Sequence, residues 1–290
     1  MIRNEFCGVR LRPPGGVRRS IYEIRNKYFP LLSIPYKLPW GGWLLLGQDE
    51  FSQTIFWGTH QEQDELNVVT NLLRPGMVFF DLGANQGLYS ISAGHKVRKE
   101  GRVYAFEPVP SEYRKLQANI RLNLATNIIA EHLAIGRYDD TTQMYACEPS
   151  KAMYSSLVRP AVSSEVKVQC ISVRSISLDT YTFQNRIDQI DILKMDVEGA
   201  ERDVLEGGRQ VFTQQRPIVL CEFSDRRTEP WGYRAREIAD ILMKYGYRWF
   251  EPISNGVRSH VVKDYYDYDD LIAVPEEKLS MIAHLVHHDL

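Results

Sequence analysis

No apolar run in this sequence approaches the length of a membrane span or a secretory h-region; Trp43-Leu44-Leu45-Leu46 is too short and reads as a strand. Cysteine is scarce and scattered. Cys7, Cys147, Cys170 and Cys221 form no Cys-x-x-Cys pair, which argues against a zinc site and a disulfide framework. Cys170 and Cys221 lie in apolar strand-like runs and are expected to be buried thiols, with a reducing, cytoplasmic compartment as the setting. Neither sign of charge dominates. The 35 basic and 37 acidic residues leave a net −2, which gives no reason to expect a nucleic-acid binder. Gly-Lys-Ser/Thr is missing, which excludes a Walker loop.

What is present is a 290-residue chain, 44% hydrophobic, long enough to bury one large or two small cores. Its charge is uneven: residues 1–37 carry eight basic residues against Glu5 and Glu23. Such an arm can meet an anionic partner or membrane surface, or simply be a solvated or packed extension. Pro13-Pro14-Gly15-Gly16 interrupts any amphipathic transit helix. Residues 1–60 lack regular alternation and are expected to form an N-terminal cap with short strands near 43–47 and 53–57. A helix is expected over 62–73, ended by Arg74-Pro75-Gly76.

From Met77 the pattern alternates. Strands are expected at 77–82, 102–107, 128–135, 190–196 and 217–223. Helices are expected at 88–98, 111–124 (Ser111 as N-cap), 199–212 and 233–245, with closing strands at 246–251 and 270–274. Residues 139–181 read as a β-rich insertion and 276–290 as a C-terminal helix. This is an α/β protein: a mostly parallel sheet with helices on both faces, which binds ligands beyond the carboxyl ends of its strands.

The polar residues at those strand ends carry the chemistry. Phe80-Asp81-Leu82-Gly83-Ala84-Asn85-Gln86-Gly87 ends a strand and opens a helix. Glycines here admit a ligand close to the backbone, and the helix start offers free N–H groups. Asn85 stands where a dinucleotide fold wants its middle glycine. The Asp81 carboxylate repels phosphate and suits a cationic ligand such as S-adenosylmethionine. Glu107, ending the next strand, can accept from both ribose hydroxyls; this fits NAD and S-adenosylmethionine alike. A second cluster, Lys194-Met195-Asp196-Val197-Glu198-Gly199-Ala200-Glu201, closes another strand. Lys194, Asp196 and Glu198 can hold cofactor, orient an acceptor or take its proton, and Lys194 can equally be a structural ion pair. Glu201 fits the helix dipole. Glu222 faces the same cleft in a catalytic or a buried structural role. His60, at the junction with Glu62, is a packed or capping residue or a general base. His284, His287 and His288 suit an exposed terminal helix better than a metal site. Tyr265-Tyr266-Asp267-Tyr268-Asp269-Asp270 can form a substrate lip.

Taken with Ala105-Phe106-Glu107-Pro108, Leu178-Asp179, Val204-Leu205-Glu206-Gly207 and Ala273-Val274-Pro275, these motifs resemble the FkbM family of S-adenosylmethionine-dependent methyltransferases over residues 58–275. The resemblance implies the class I methyltransferase (Rossmann-like) fold, a seven-stranded sheet with its last strand antiparallel, in residues 61–275. It implies that Asp81, Gly83, Asn85 and Gly87 surround the methionine part of the cofactor and that Glu107 holds the ribose, with Lys194 a further cofactor contact. It also implies O-methylation of a sugar or natural-product hydroxyl. The base candidates are Asp196, Glu198 and Glu222, with His60 behind them. No metal ligand is assigned, although a divalent cation such as Mg on the three carboxylates is an alternative. A nicotinamide-dependent oxidoreductase and a non-catalytic cofactor-binding partner are the rival readings. The expected partner is a small hydroxylated acceptor, and a homo-oligomer is possible.

Overall fold

The computed structural model describes residues 16–29, 32–60, 62–160, 163 and 165–287; Cys7, the Pro-Pro-Gly interruption, the first part of the basic arm and His288 lie outside them. The N-terminal segment contains α1 (Gly16–Tyr28), β1 (Ile34–Lys37), β2 (Trp43–Leu46), α2 (Glu50–Trp57) and α3 (Gln63–Leu72). The alternating region follows with β3 (Val78–Leu82), α4 (Leu88–Val97), β4 (Arg102–Phe106), α5 (Pro110–Leu122) and β5 (Ile128–Glu131). Next come β6 (Ala134–Gly136), β7 (Asp140–Cys147), β8 (Val168–Ser177) and α6 (Leu178–Asn185). The chain continues with β9 (Ile192–Met195), α7 (Glu201–Gly207), β10 (Ile218–Phe223), α8 (Asp225–Thr228) and α9 (Arg236–Lys244). It closes with β11 (Tyr247–Ile253), β12 (Gly256–Ser259), β13 (Asp269–Pro275) and α10 (Leu279–Ile282).

The main sheet has the order β12-β11-β13-β10-β9-β3-β4-β5. Strands β5, β4, β3, β9 and β10 pair in parallel, and β13 runs antiparallel between β10 and β11. One core packs α3, α4, α5 and the N-terminal segment on one face; a second packs α6, α7 and α9 on the other. This is the expected class I methyltransferase architecture with eight strands rather than seven. The extra edge strand, β12, is folded back by the Ser254-Asn255 turn into Gly256, at φ +154; an Asn-Gly pair is a hairpin signal. The order reverses between β3 and β9, and every functional motif sits at the carboxyl ends around that switch point.

Several local expectations change. Residues 53–57 are helical, because Asp49 caps the N–H of Ser52 at 2.9 Å and Gly58, in the left-handed region, ends the helix. The basic arm contains the unread helix α1, whose Arg25 is buried and donates to the carbonyls of Leu46 and Gly47 at 2.8 and 2.9 Å. The expected strand 128–135 divides at a bend, so β5 joins the main sheet and β6 joins β7 and β8 in a three-stranded sheet. That small sheet is the β-rich insertion. Cys170 is exposed on it while Cys221 is buried, because one face of β8 points to solvent. Helix α5 starts with Pro110 in its first turn, so Ser111 is not its cap. Gly207-Gly208 shortens the helix expected over 199–212 to α7, followed by a π turn at Val211–Gln215. The C-terminal stretch is one 3-10 turn and the single turn α10, after which Val286 bridges Val257; His284 and His287 are exposed.

Candidate active site

The loop after β3 is shaped by close backbone packing. Gly83 has φ +80, and a Cβ there would lie 1.9 Å from the carbonyl oxygen of Asp196. The loops after β3 and β9 therefore touch, and only glycine allows it. Asn85, at φ +50, turns its N–H to Glu107 Oε2 at 2.8 Å, while Glu107 Oε1 accepts from Val109 N–H at 2.7 Å. When ionised, each oxygen of Glu107 keeps a further lone pair beyond the N–H it accepts. Burial pushes the Glu107 carboxyl up to about 8. Glu107 and Asn85 line a cavity whose apolar walls include Val109, Leu133, Ile135 and Leu157. Asn85 Oδ1 is buried without a hydrogen-bond partner. A ribose between the Glu107 oxygens and a flat base among the apolar walls fit this cavity.

Gly83, Asn85, Met153, Asp196 and Glu198 also line a second chamber, joined by Phe51, His60, Glu62, Tyr89, Lys194, Glu222, Arg227 and Tyr268. Lys194 Nζ lies 2.9 Å from Asp196 Oδ2, 3.9 Å from Asp81 Oδ1 and 5.0 Å from the centre of the Tyr89 ring. Burial alone would lower the Lys194 ammonium, but Asp196 and Asp81 outweigh it and raise it, so Lys194 stays protonated. Burial likewise opposes ionisation of Asp196, yet Lys194 and Arg227 hold that carboxyl below its ordinary range. Arg227 contacts Glu198 Oε2 and sits 3.0 Å from Glu222 Oε1. Burial, then Asp196 and Asp270, push Glu222 well above the usual carboxylate range.

His60 is 7% exposed, and its Nε2 has no hydrogen-bond partner; Glu62 Oε1 lies 3.6 Å from it. Burial lowers the imidazole pKa, with Glu62 opposing, so the ring is neutral near pH 7. Asp81 is fully buried behind the cavity wall, where it accepts from Ser90 Oγ at 2.5 Å; burial raises its carboxyl and Lys194 opposes. Gly87 is also behind the wall, as the left-handed N-cap of α4, and a Cβ there would meet Leu116 Cδ1 at 2.6 Å. Glu201 folds back on its own loop, accepting from Val197 and Gly199 N–H at 3.2 Å each.

The comparisons with known proteins decide the family. The model of the methyltransferase FkbM domain matches residues 81–249. The chain belongs to the FkbM family of methyltransferases. As an FkbM methyltransferase it uses S-adenosylmethionine, the donor the cavity fits. The 2-O-methyltransferase NoeI of Sinorhizobium fredii is 26% identical over 206 residues, covering 68% of this chain and 83% of NoeI. The 31-O-demethyl-FK506 methyltransferase FkbM of Streptomyces tacrolimicus is 30% identical over 176 residues, covering 53% of this chain and 67% of that protein. A solved FkbM methyltransferase from Methylobacillus flagellatus is 16% identical with a TM-score of 0.40, covering 78% of this chain and 55% of that one.

The three carboxylates weighed as a cation site line one chamber, but each is paired with a cationic side chain: Asp196 with Lys194, and Glu198 and Glu222 with Arg227. Among the described residues no group of three or more His, Cys, Asp or Glu side chains is arranged to hold a metal ion. Sequence reasoning missed Tyr89 and Arg227. Tyr89 follows the glycine loop directly, in the first turn of α4, and that position was its signal. Arg227 sits on the four-residue helix α8, too short to show a period.

Proposed function

We propose that this FkbM methyltransferase transfers the methyl group to a hydroxyl oxygen of a small-molecule acceptor. The observation that carries the proposal is the chamber shared between the ribose cavity and the unpartnered Nε2 of buried His60. The relatives named as O-methyltransferases support the choice of oxygen. S-adenosylmethionine, when bound, supplies a methyl group on a sulfonium. Glu107 holds its ribose, and Gly83 and Asn85 flank its methionine part. Asp81 and Gly87 fix the loop from behind, and Lys194 anchors Asp196.

An alcohol is a weak nucleophile until its proton leaves. His60 is the base: neutral, buried and open at one nitrogen. As the acceptor oxygen bonds to the methyl carbon and the carbon–sulfur bond breaks, the hydroxyl proton passes to His60 Nε2. Glu62 faces the imidazolium that forms. Asp196 is the second candidate, anionic but already bound to Lys194. Arg227 holds Glu198 and Glu222 and reduces their availability as bases.

The described residues of the segment up to His60 are read as a cap on the methyltransferase unit of 61–275, since Phe51 and His60 reach its chamber. Among the described residues no helix is long and apolar enough to cross a membrane. The free thiols Cys147, Cys170 and Cys221 support a cytoplasmic setting. The exposed apolar side chains Ile21, Ile24 and Tyr28 of α1 support self-association. Methyl-labelled S-adenosylmethionine incubated with the full chain and a panel of hydroxylated ring compounds tests the reaction. Mass spectrometry is expected to find methyl ethers; methylation only at nitrogen or carbon overturns the oxygen assignment.

A further inference from the structure

Beyond Arg227 and Tyr268 the methyl-transfer chamber meets a third pocket, which shares Glu198, Arg227 and Tyr268 with it. We propose that this outer pocket is the acceptor's subsite and that it binds an anionic oxygen group, phosphate or carboxylate, carried by a ring-bearing acceptor. The inference rests on the methyltransferase reading above and specifies its substrate class.

One side of the chamber is the glycine loop it shares with the cofactor cavity, so an acceptor reaches the methyl group from the other side, where the outer pocket lies. That side has aromatic walls, Tyr154, Trp231 and Tyr268, which suit the face of a ring. Its charges are three arginines, Arg159, Arg226 and Arg227, against Glu198 and Asp267. These arginines differ in availability. Arg227 is held between Glu198 and Glu222. Arg226 pairs with Asp267 at 3.0 Å, with side chains 76% and 69% exposed, an arrangement that a ligand anion readily exchanges. Arg159 is exposed, and no carboxylate among the described residues pairs with it. The pocket therefore offers Arg159, and Arg226 on exchange of its surface pair with Asp267, to a planar or tetrahedral oxyanion, the group their geometry matches. In the inner chamber Lys194 is already paired with Asp196 and Arg227 with Glu198 and Glu222, so the same group finds no free cation there. An acceptor thus enters with its anion outward and its hydroxyl toward His60.

Calorimetry on the full chain loaded with S-adenosylhomocysteine tests this with three probes: glucose, glucose 6-phosphate and glucuronate. At least one anionic probe is expected to bind ten or more times more tightly than glucose, and which one does so distinguishes phosphate from carboxylate. The double variant Arg159→Ala, Arg226→Ala is expected to abolish that preference and leave S-adenosylhomocysteine affinity unchanged, since both side chains are exposed and away from the cofactor cavity. Anionic probes no tighter than glucose, or a preference that survives in the double variant, overturn the proposal. A wild-type chain that fails to bind S-adenosylhomocysteine brings down the cofactor reading instead.

Discussion

The two halves of the cleft are built differently. The cofactor half is mostly backbone: positive φ at Gly83, Asn85 and Gly87, and a Glu107 oriented by two N–H groups. These polar parts lie close together in sequence, between Asp81 and Val109, while the apolar walls come from Leu133, Ile135 and Leu157. The acceptor half is mostly side chains, gathered from Phe51, His60, Glu62, Tyr89, Met153, Glu222, Arg227 and Tyr268. Phe51, His60, Glu62 and Tyr268 all fall outside the family-matched residues 81–249. One donor molecule needs one cradle, which a short loop supplies. An acceptor of variable shape is met by distant segments that can change without disturbing that cradle.

The largest effects should separate the halves. Gly83→Ala forces a Cβ into the Asp196 carbonyl at a backbone angle that alanine avoids. A penalty of about 3 kcal/mol or more is expected, seen as at least a ~100-fold loss of S-adenosylmethionine affinity by calorimetry, with a lower Tm. His60→Gln is expected to do the reverse, cutting kcat on order 10²–10⁴-fold while leaving cofactor affinity within about twofold. If His60→Gln weakens cofactor binding as much as Gly83→Ala does, the division between the halves fails.

The same division explains what could be read from sequence. The sheet, its switch point and the cofactor half were legible because strand–loop–helix units write them locally: the apolar run, the acid, the glycines, and Glu107 at the next strand end. The acceptor half was legible only in part: His60, Glu62, Glu222 and the run containing Tyr268 stood out as candidates, whereas Phe51, Tyr89, Met153 and Arg227 did not. His60 and Glu62 are a bare junction in sequence, and only packing of α2 and α3 against the sheet turns them toward Asp196. Arg227 could not be found because α8 has no period to see. Residues 53–57 misled because Phe56 and Trp57 are good strand formers, and the Asp49 and Gly58 caps override that preference.

Within the cofactor half, Glu107 carries a pH signature. Its carboxyl lies at about 8 in the folded chain against an ordinary value of 4.5. Between those values the folded protein holds a proton that the unfolded chain releases, so stability falls as pH rises from about 5 to 8. Glu65 and Glu201, raised by burial to about 8 and about 7, add to the slope. Glu107→Gln stays neutral throughout and is expected to flatten part of the Tm decline across that range. The same variant should weaken S-adenosylmethionine binding by about 1–3 kcal/mol at pH 8.5, where ribose hydroxyls meet an ionised carboxylate in the wild type. An unchanged Tm profile in Glu107→Gln would overturn the raised pKa, and an unchanged S-adenosylmethionine affinity would remove this group from the cofactor site.

The smallest effect probes where the halves join. Gln86, inside the cofactor loop, donates to Asp49 Oδ1 at 2.8 Å, and its carbonyl accepts from Asn119 Nδ2 at 2.7 Å. Asn119 Oδ1 in turn accepts from Leu45 N–H at 2.7 Å. The N-terminal segment therefore reaches the cofactor loop through one side chain and one shared asparagine. Gln86→Ala removes the first link and leaves the second, so about 1 kcal/mol is at stake, or roughly a fivefold weaker S-adenosylmethionine affinity. Adenosine makes an informative control. It occupies the Glu107 cavity without reaching the methionine end of the loop, so its affinity should not change in the variant. An equal loss for both ligands would mean that the N-terminal segment steadies the whole cofactor half, and that the cap and the cradle are a single unit rather than two built by different rules.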